Sequence, residues 1–208
     1  YPEISGLPTS RKLDFDKDGR IWTNSSRYKA GMFCLDINNT LDNNNDDKHK
    51  FVGPTFTNQD GVSEIINDIF FFEFDKNGEM WLGTDRGIFV LREPEKFLSS
   101  DKIIFERVKI PRNDGTNLAD YLLSGIYTTA ICIDDANRKW IGTQNNGVFL
   151  LSEDGKETIH HFTEENSPLL SNYIQTIAIN SSTGSVFFGT SLGLIEYGGD
   201  ATEPEKSL

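Results

Sequence analysis

Cysteine is scarce in this chain of 208 residues, with two in all, and no apolar run approaches the ~20 residues a helix needs to cross a bilayer. Cys34 and Cys132 sit in apolar, strand-like runs far apart in sequence. They are expected as buried free thiols, since Cys packs as a small hydrophobe. A bridge between them is the open alternative, and the pair gives no clue to redox compartment. Basic charge is also short, with Lys plus Arg at 20 against 32 Asp plus Glu and a formal charge of -12. A phosphate-binding surface needs clustered cations, so nucleic acid and bare anionic membrane are poor partners. No direct membrane insertion is expected. There is no Gly-x-Ser-x-Gly elbow, no His-Glu-x-x-His and no phosphate loop. Titratable groups are scattered over turns rather than gathered, so the expectation is no enzyme and no cofactor. No leader is visible either. Tyr1 opens almost directly into repeat material, which predicts a soluble chain with a leader and further repeats cut off upstream.

Aromatic residues, by contrast, make up 12%, with fifteen Phe, ample for a core. Four stretches say nearly the same thing: FDKDGRIWTNS, FDKNGEMWLGT, IDDANRKWIGT and INSSTGSVFFGT. Each runs on into a Gly and a short apolar segment. The aromatic positions are Trp22, Trp81, Trp140 and Phe187, so the steps are 59, 59 and 47 residues. A recurring unit of short strands and turns at this period means a repeat architecture.

The second unit reads most cleanly. Ile65 to Phe74 is a buried strand, and Asp75 to Gly78 a turn with Gly supplying positive φ. Glu79 to Thr84 alternates as a second strand, Ile88 to Leu91 is a third, and Ile103 to Val108 a weaker fourth. Unit three gives Tyr127 to Ile133, Lys139 to Thr143, Val148 to Leu151 and Thr158 to Phe162. Unit four gives Ile174 to Ile179, Ser185 to Thr190 and Leu194 to Tyr197, with no fourth strand. Four antiparallel strands per unit describe a β-propeller blade. The fold is therefore predicted as all-β, a single propeller fragment over 1–208 with blades at about 10–57, 62–109, 126–163 and 172–198 and a polar tail at 199–208. Strand one of each blade is expected to line the central axis. The remaining blades would come from the same protein or from another copy. The run 38–50 is polar, Asn-rich and expected to be mobile.

Several motifs tempt. Asp14-x-Asp16-x-Asp18-Gly19 resembles the opening of an EF-hand loop, but its twelfth position is Ser25 and a hairpin cannot wrap the ion, so no metal is expected. Asp-x-x-Gly-x-x-Trp also resembles a sialidase Asp-box, without that enzyme's Arg cluster. His160 and His161 are adjacent on a strand and point to opposite faces, which suits no single ion. Trp22, Trp81, Trp140 and Phe187 recur once per unit and read as packing between blades. Gly83, Gly142 and Gly189 are read as places of close sheet approach, and Thr84, Thr143 and Thr190 as hydroxyls that bond locally.

The loops between strands two and three share a face with the inter-blade connections Asn58 to Glu64, Pro111 to Gly125 and Thr163 to Tyr173. Binding residues concentrate on loops held by a rigid scaffold, so that face carries the candidate site. Its candidates are Arg27, Tyr28, Lys29, Arg86, Arg112, Tyr121, Gln144 and Asn145, where Arg pairs with an anionic sugar and Tyr stacks on a ring.

The string D-x-x-G-x-x-W-[IL]-G-T-x-x-x-G resembles the two-component regulator propeller repeat, with Thr-Asn-Ser in unit one and Phe in unit four as departures. That resemblance implies a propeller of more blades than are present here, in extracytoplasmic sensors of hybrid two-component systems responding to glycan fragments. The last unit, from Leu169-Leu170-Ser171-Asn172 through Thr183-Gly184-Ser185-Val186-Phe187-Phe188-Gly189-Thr190 to Asp200-Ala201-Thr202, is similar to the final blade of PorZ-like proteins. Those are surface components of bacterial type IX secretion that handle anionic lipopolysaccharide. The resemblances together imply a non-catalytic binding or scaffold module in the periplasm or at the outer-membrane surface. Its partners would be proteins or a glycan or lipopolysaccharide-type ligand. Neither family supplies catalytic residues.

Overall fold

Alternating apolar residues between Asp- and Gly-marked turns should form short antiparallel strands, and the computed structural model shows them. It describes residues 10–40, 42–112, 115, 116, 118–199 and 201, with the backbone alone for Ser10, Arg11 and Tyr28. The expected tail beyond Gly199 lies, Ala201 excepted, outside the described residues. The chain divides into two compact units, Tyr1–Arg107 and Val108–Leu208.

In the first unit, β1 (Ser10–Phe15), β2 (Ile21–Ser25), β3 (Gly31–Asp36) and β4 (Lys48–Val52) form one four-stranded sheet in sequence order. A two-stranded hairpin follows, β5 (Thr55–Thr57) with β6 (Ser63–Ile65). The second sheet is β7 (Ile69–Phe74), β8 (Met80–Thr84) and β9 (Gly87–Leu91). Trp22, Met32 and Cys34 of the first sheet pack with Phe72, Met80, Leu82 and Phe89 of the second. The Trp22 ring lies 4.9 Å from Phe97 and 6.0 Å from Phe74.

The second unit opens on a hairpin, β10 (Lys109–Pro111) with β11 (Ala119–Tyr121). A four-stranded sheet follows, made of β12 (Thr128–Ile133), β13 (Lys139–Thr143), β14 (Val148–Leu151) and β15 (Thr158–Phe162). The last sheet has three strands, β16 (Ile174–Asn180), β17 (Ser185–Thr190) and β18 (Gly193–Gly198). Trp140 packs on Phe188 and Tyr197 at 5.8 and 5.6 Å, so the Trp-bearing face of one sheet lies on the next. Neither cysteine is in a disulfide, with Cys34 buried and Cys132 half-buried.

Four expectations change. The strand read from Ile65 to Phe74 is broken at Asn67–Asp68, because the Asp85 carboxylate takes the amides of both residues, at 3.0 and 3.2 Å. The fourth strand read from Ile103 to Val108 shrinks to one bridge, Val90 with Glu106. The amides of Phe105 and Arg107 turn away instead, to the Thr57 carbonyl and the Gln59 side chain. The polar run 38–50 enters a strand at Lys48, the start of β4, where the sequence placed none, and Asp46 accepts from Asn38 and Thr40 ahead of it. Two inter-blade connections read as loops carry the hairpins β5–β6 and β10–β11.

Candidate functional site

The short turns and the longer loops are positioned by one repeated device. In the second sheet, Asp75 Oδ1 accepts the amides of Asn77 and Glu79, at 2.9 and 3.0 Å. Its Oδ2 accepts the indole N–H of Trp81 at 3.1 Å. Asp16 holds Trp22 in the same way at 2.7 Å, and Asp134 holds Trp140 at 3.3 Å. One carboxylate thus closes the turn and satisfies the sole polar group of a fully buried Trp. Gly78 supplies φ +80° at this turn, and Asn137, at φ +60°, takes that place in the third. At the other end of each second strand, Thr84, Thr143 and Thr190 donate to the carbonyls of Gly87, Gly147 and Gly193, at 2.8, 2.8 and 2.9 Å. The glycines beside them leave room for neighbours: a Cβ on Gly83 would meet the Phe71 ring at 2.0 Å, and one on Gly142 the Ile174 side chain at 2.6 Å. Phe187, at the fourth Trp position, is half-buried instead of fully buried.

In the first unit, Arg27, Tyr28 and Lys29 form a single 3-10 turn between β2 and β3. Arg27 is exposed with φ +64°, and its amide bonds to the Asn67 carbonyl at 2.7 Å. Arg86 follows the Asp85 that holds Asn67, so both arginines flank one connection. The Arg86 side chain, 49% exposed, reaches Asp85 at 3.6 Å. Lys29 is engaged over the Phe51 ring at 5.0 Å. The Tyr28 side chain lies outside the described part.

In the second unit, Arg112 is clamped by both oxygens of Asp120, at 2.9 and 2.5 Å, and that hydrogen bonding and charge raise its pKa. It is thus less available to an anionic ligand than its sequence position implied. Tyr121 opens onto a broad concavity of about 620 Å³ that it lines with Asp120, Leu123, Ser124, Ile126 and Phe149. Behind it, the His161 ring stacks on Phe149 at 3.9 Å, and His161 Nε2 lies 2.7 Å from the carbonyl of Asn146. The exposed Gln144 and Asn145 precede that carbonyl, so the stack ties their loop to the concavity holding Tyr121. Phe149 and His161 are the residues the sequence reading passed over. The alternation that set His160 and His161 on opposite faces was the signal available: His161 reaches Phe149, while His160 faces Phe162 and Tyr197. Among the described residues no group of three or more His, Cys, Asp or Glu is placed to hold a metal ion. The arrangement offers ring faces beside exposed amides and a carboxylate, which suits a sugar or peptide surface.

No protein-family model and no curated protein matches the chain. Solved structures do. PorZ, an essential bacterial surface component of the type IX secretion system of Porphyromonas gingivalis, matches 100% of this chain with a TM-score of 0.89 and 31% identity. The chain spans 28% of PorZ. The extracellular domain of a proposed hybrid two-component system from B. thetaiotaomicron matches 93% of this chain and 25% of its own length, with a TM-score of 0.62 and 19% identity. The β-propeller domain of Cps50 (Swd1) from Myceliophteria thermophila matches 91% of this chain and 54% of its own, at 0.54 and 10%. At those last two identities the likeness is one of fold alone. The fold is that of a β-propeller, and both resemblances carried by the repeats have counterparts among solved structures. The likeness to PorZ, a bacterial surface component, supports an extracytoplasmic bacterial location for the chain.

Proposed function

We propose that this chain is a non-catalytic binding or scaffold module, PorZ-like and associated with type IX secretion, with one propeller blade built on each of its four blade sheets. The observation that carries this is the match to PorZ along the whole chain at 31% identity, against 19% for the sensor domain. The alternative is a glycan-sensing propeller of a hybrid two-component system, which the fold-level likeness to the sensor domain favours. In either role the partner is a protein or a glycan of lipopolysaccharide type, and the ring faces of Tyr121 and of the Phe149–His161 stack are its contact, with Gln144 and Asn145 on the rim. Arg27 and Arg86 form a second, weaker set in the first unit.

The test is made in the bacterial host by deleting the coding region for residues 10–198 in frame. Loss of type IX cargo export, with transcriptional responses to glycans intact, is the expected result. Intact export with a lost response to one glycan would overturn the secretion reading in favour of the sensor. In the purified chain, Tyr121→Ala with His161→Ala should weaken binding to the host's lipopolysaccharide by about tenfold or more. Unchanged affinity would remove the concavity from the proposal.

A further inference from the structure

The turns that join β1 to β2 and β7 to β8 read alike, Phe15-Asp16-Lys17-Asp18-Gly19 and Phe74-Asp75-Lys76-Asn77-Gly78. The corresponding turns of the second unit begin Ile133-Asp134-Asp135 and Ile179-Asn180-Ser181, with neither the Phe nor the Lys. The Asp belongs to the repeat, since it closes the turn and holds the indole. The Phe and the Lys are particular to the first unit, where both turns border one cavity of about 290 Å³. Pro94 and Glu95, from a 3-10 turn at Pro94–Lys96, complete its wall. Phe74 and the buried Pro94 give it apolar surface, and Lys17, Lys76 and Glu95 are exposed at its rim.

The acceptors beside the cavity are already used. Asp16 Oδ1 takes the amides of Asp18 and Arg20, both at 3.0 Å, and its Oδ2 takes Arg20 Nε and the Trp22 indole, both at 2.7 Å. Those four donors fill the lone-pair positions of one carboxylate. Asp75 is likewise turned to its own amides and to Trp81. Donors, by contrast, are in surplus. Arg20 also lines the cavity and is only 8% exposed. Its Nε goes to Asp16, its Nη1 to the Glu95 carbonyl at 2.9 Å and its Nη2 to Asp18 at 2.8 Å. A guanidinium has five N–H groups, so each Nη keeps one without a partner among the described residues. The Lys17 ammonium has none there either. A buried Arg held rigid on three sides, with one N–H to give from each Nη, suits a carboxylate or a phosphate.

We propose that this cavity binds a small organic anion, a single ring carrying a carboxylate or a phosphate. The anionic group takes the remaining N–H groups of Arg20 and the charges of Lys17 and Lys76, while the ring lies on Phe74 and Pro94. The volume is at the lower end of small-molecule sites and suits one ring rather than a chain of them. Glu95 is the opposing charge at the rim, and it selects against ligands of higher charge. The site lies wholly in the first unit, and its test does not depend on the role of the concavity at Tyr121.

The test is calorimetric titration of the 208-residue chain with benzoate, phenyl phosphate, glucuronate and glucose 6-phosphate, beside the neutral benzyl alcohol and glucose. At least one anion should saturate with a Kd of about 1 mM or tighter, and the neutral compounds should bind at least about tenfold more weakly. The four anions separate carboxylate from phosphate and a flat ring from a sugar ring. Raising NaCl from 50 to 500 mM should weaken the bound anion about threefold. Lys17→Glu combined with Lys76→Glu changes exposed side chains only, and a thermal melt near that of the unaltered chain verifies its fold. This pair should weaken binding about tenfold or more, whereas Glu95→Gln should tighten it about twofold. Lys102→Glu combined with Lys156→Glu makes the same change in net charge away from the cavity and should leave affinity within about twofold. Three results would overturn the proposal. One is absence of saturation by all four anions up to about 20 mM. Another is equal binding of the neutral compounds. The third is an equal loss in the Lys102 and Lys156 pair, which would reduce the effect to net charge.

Discussion

At Asp134, one carboxylate oxygen accepts the amides of Ala136 and Arg138, while the other accepts Arg138 Nε at 2.7 Å and the Trp140 indole at 3.3 Å. At Asn180, the amide oxygen accepts only from Ser182, through its N–H and its hydroxyl, at 3.1 and 2.6 Å. The residue at the Trp place in that sheet is Phe187, which carries no N–H. Carboxylate and indole are thus kept together in three turns and lost together in the fourth. An Asp there would have no indole to receive, and a Trp would have no acceptor once buried. The coupling teaches that the turn Asp is part of the packing between sheets, and only secondarily a turn former.

The largest effect that could break this comparison is on packing. Trp140→Ala should cost about 3–5 kcal/mol, because the ring is fully buried against Phe188 and Tyr197. Phe187→Ala, at a half-buried site opposite Glu196, should cost about 1 kcal/mol. Urea unfolding of both variants decides the matter. Equal costs would mean that the fourth position packs as the other three do.

A smaller effect sharpens the coupling itself. Asp134→Asn leaves an acceptor for the turn amides but turns an NH2 group toward two donors, so about 2 kcal/mol should be lost. Asn180→Asp should stay within about 0.5 kcal/mol, since its turn is exposed. Combined with Trp140→Phe, the Asp134→Asn cost should fall by about 1 kcal/mol, a non-additivity expected of groups in direct contact. Strict additivity in that cycle would separate the Asp from the indole.

The sequence made the repeats legible because a local rule governs them. In three turns Asp, a residue with φ > 0 and a fully buried Trp recur at fixed offsets, and the strands Lys139–Thr143, Val148–Leu151, Thr158–Phe162 and Ser185–Thr190 fall where alternation places them. What it did not disclose depends on distant partners. The break at Asn67 is set by Asp85, 18 residues on, and the truncated edge at Glu106 by Thr57 and Gln59 of the β5–β6 hairpin. The same holds at the concavity. Tyr121 was legible as an aromatic on a connection, whereas the Phe149–His161 stack arises from the register of β14 with β15. Arg112 read as a free cation because nothing local announces Asp120 across its hairpin.

The smallest effect contrasts a buried turn carboxylate with an exposed one in the same sheet. Asp154, in the turn between β14 and β15, accepts the Lys156 amide at 3.1 Å and the Ser152 hydroxyl at 2.9 Å, with the Lys156 ammonium 3.0 Å away. Slight burial pushes its pKa up, but hydrogen bonds from Lys156 and Ser152 outweigh that and hold it at about 2, below the ordinary 3.8. With the folded value depressed, the unfolded chain binds the proton first as pH falls. Asp154 therefore stabilises the fold above about pH 4, and this contribution drains away between there and about pH 2. Its side chain is 52% exposed, so solvent screening limits the contribution to a few tenths of a kcal/mol. Asp154→Asn should flatten that small acid slope and leave the neutral-pH melt nearly unchanged, whereas Asp134→Asn should lower the melt across the whole range. Melting curves of the two variants from pH 7 to pH 2 test this. A neutral-pH loss at Asp154 matching that at Asp134 would show that the exposed turn does more than close a hairpin.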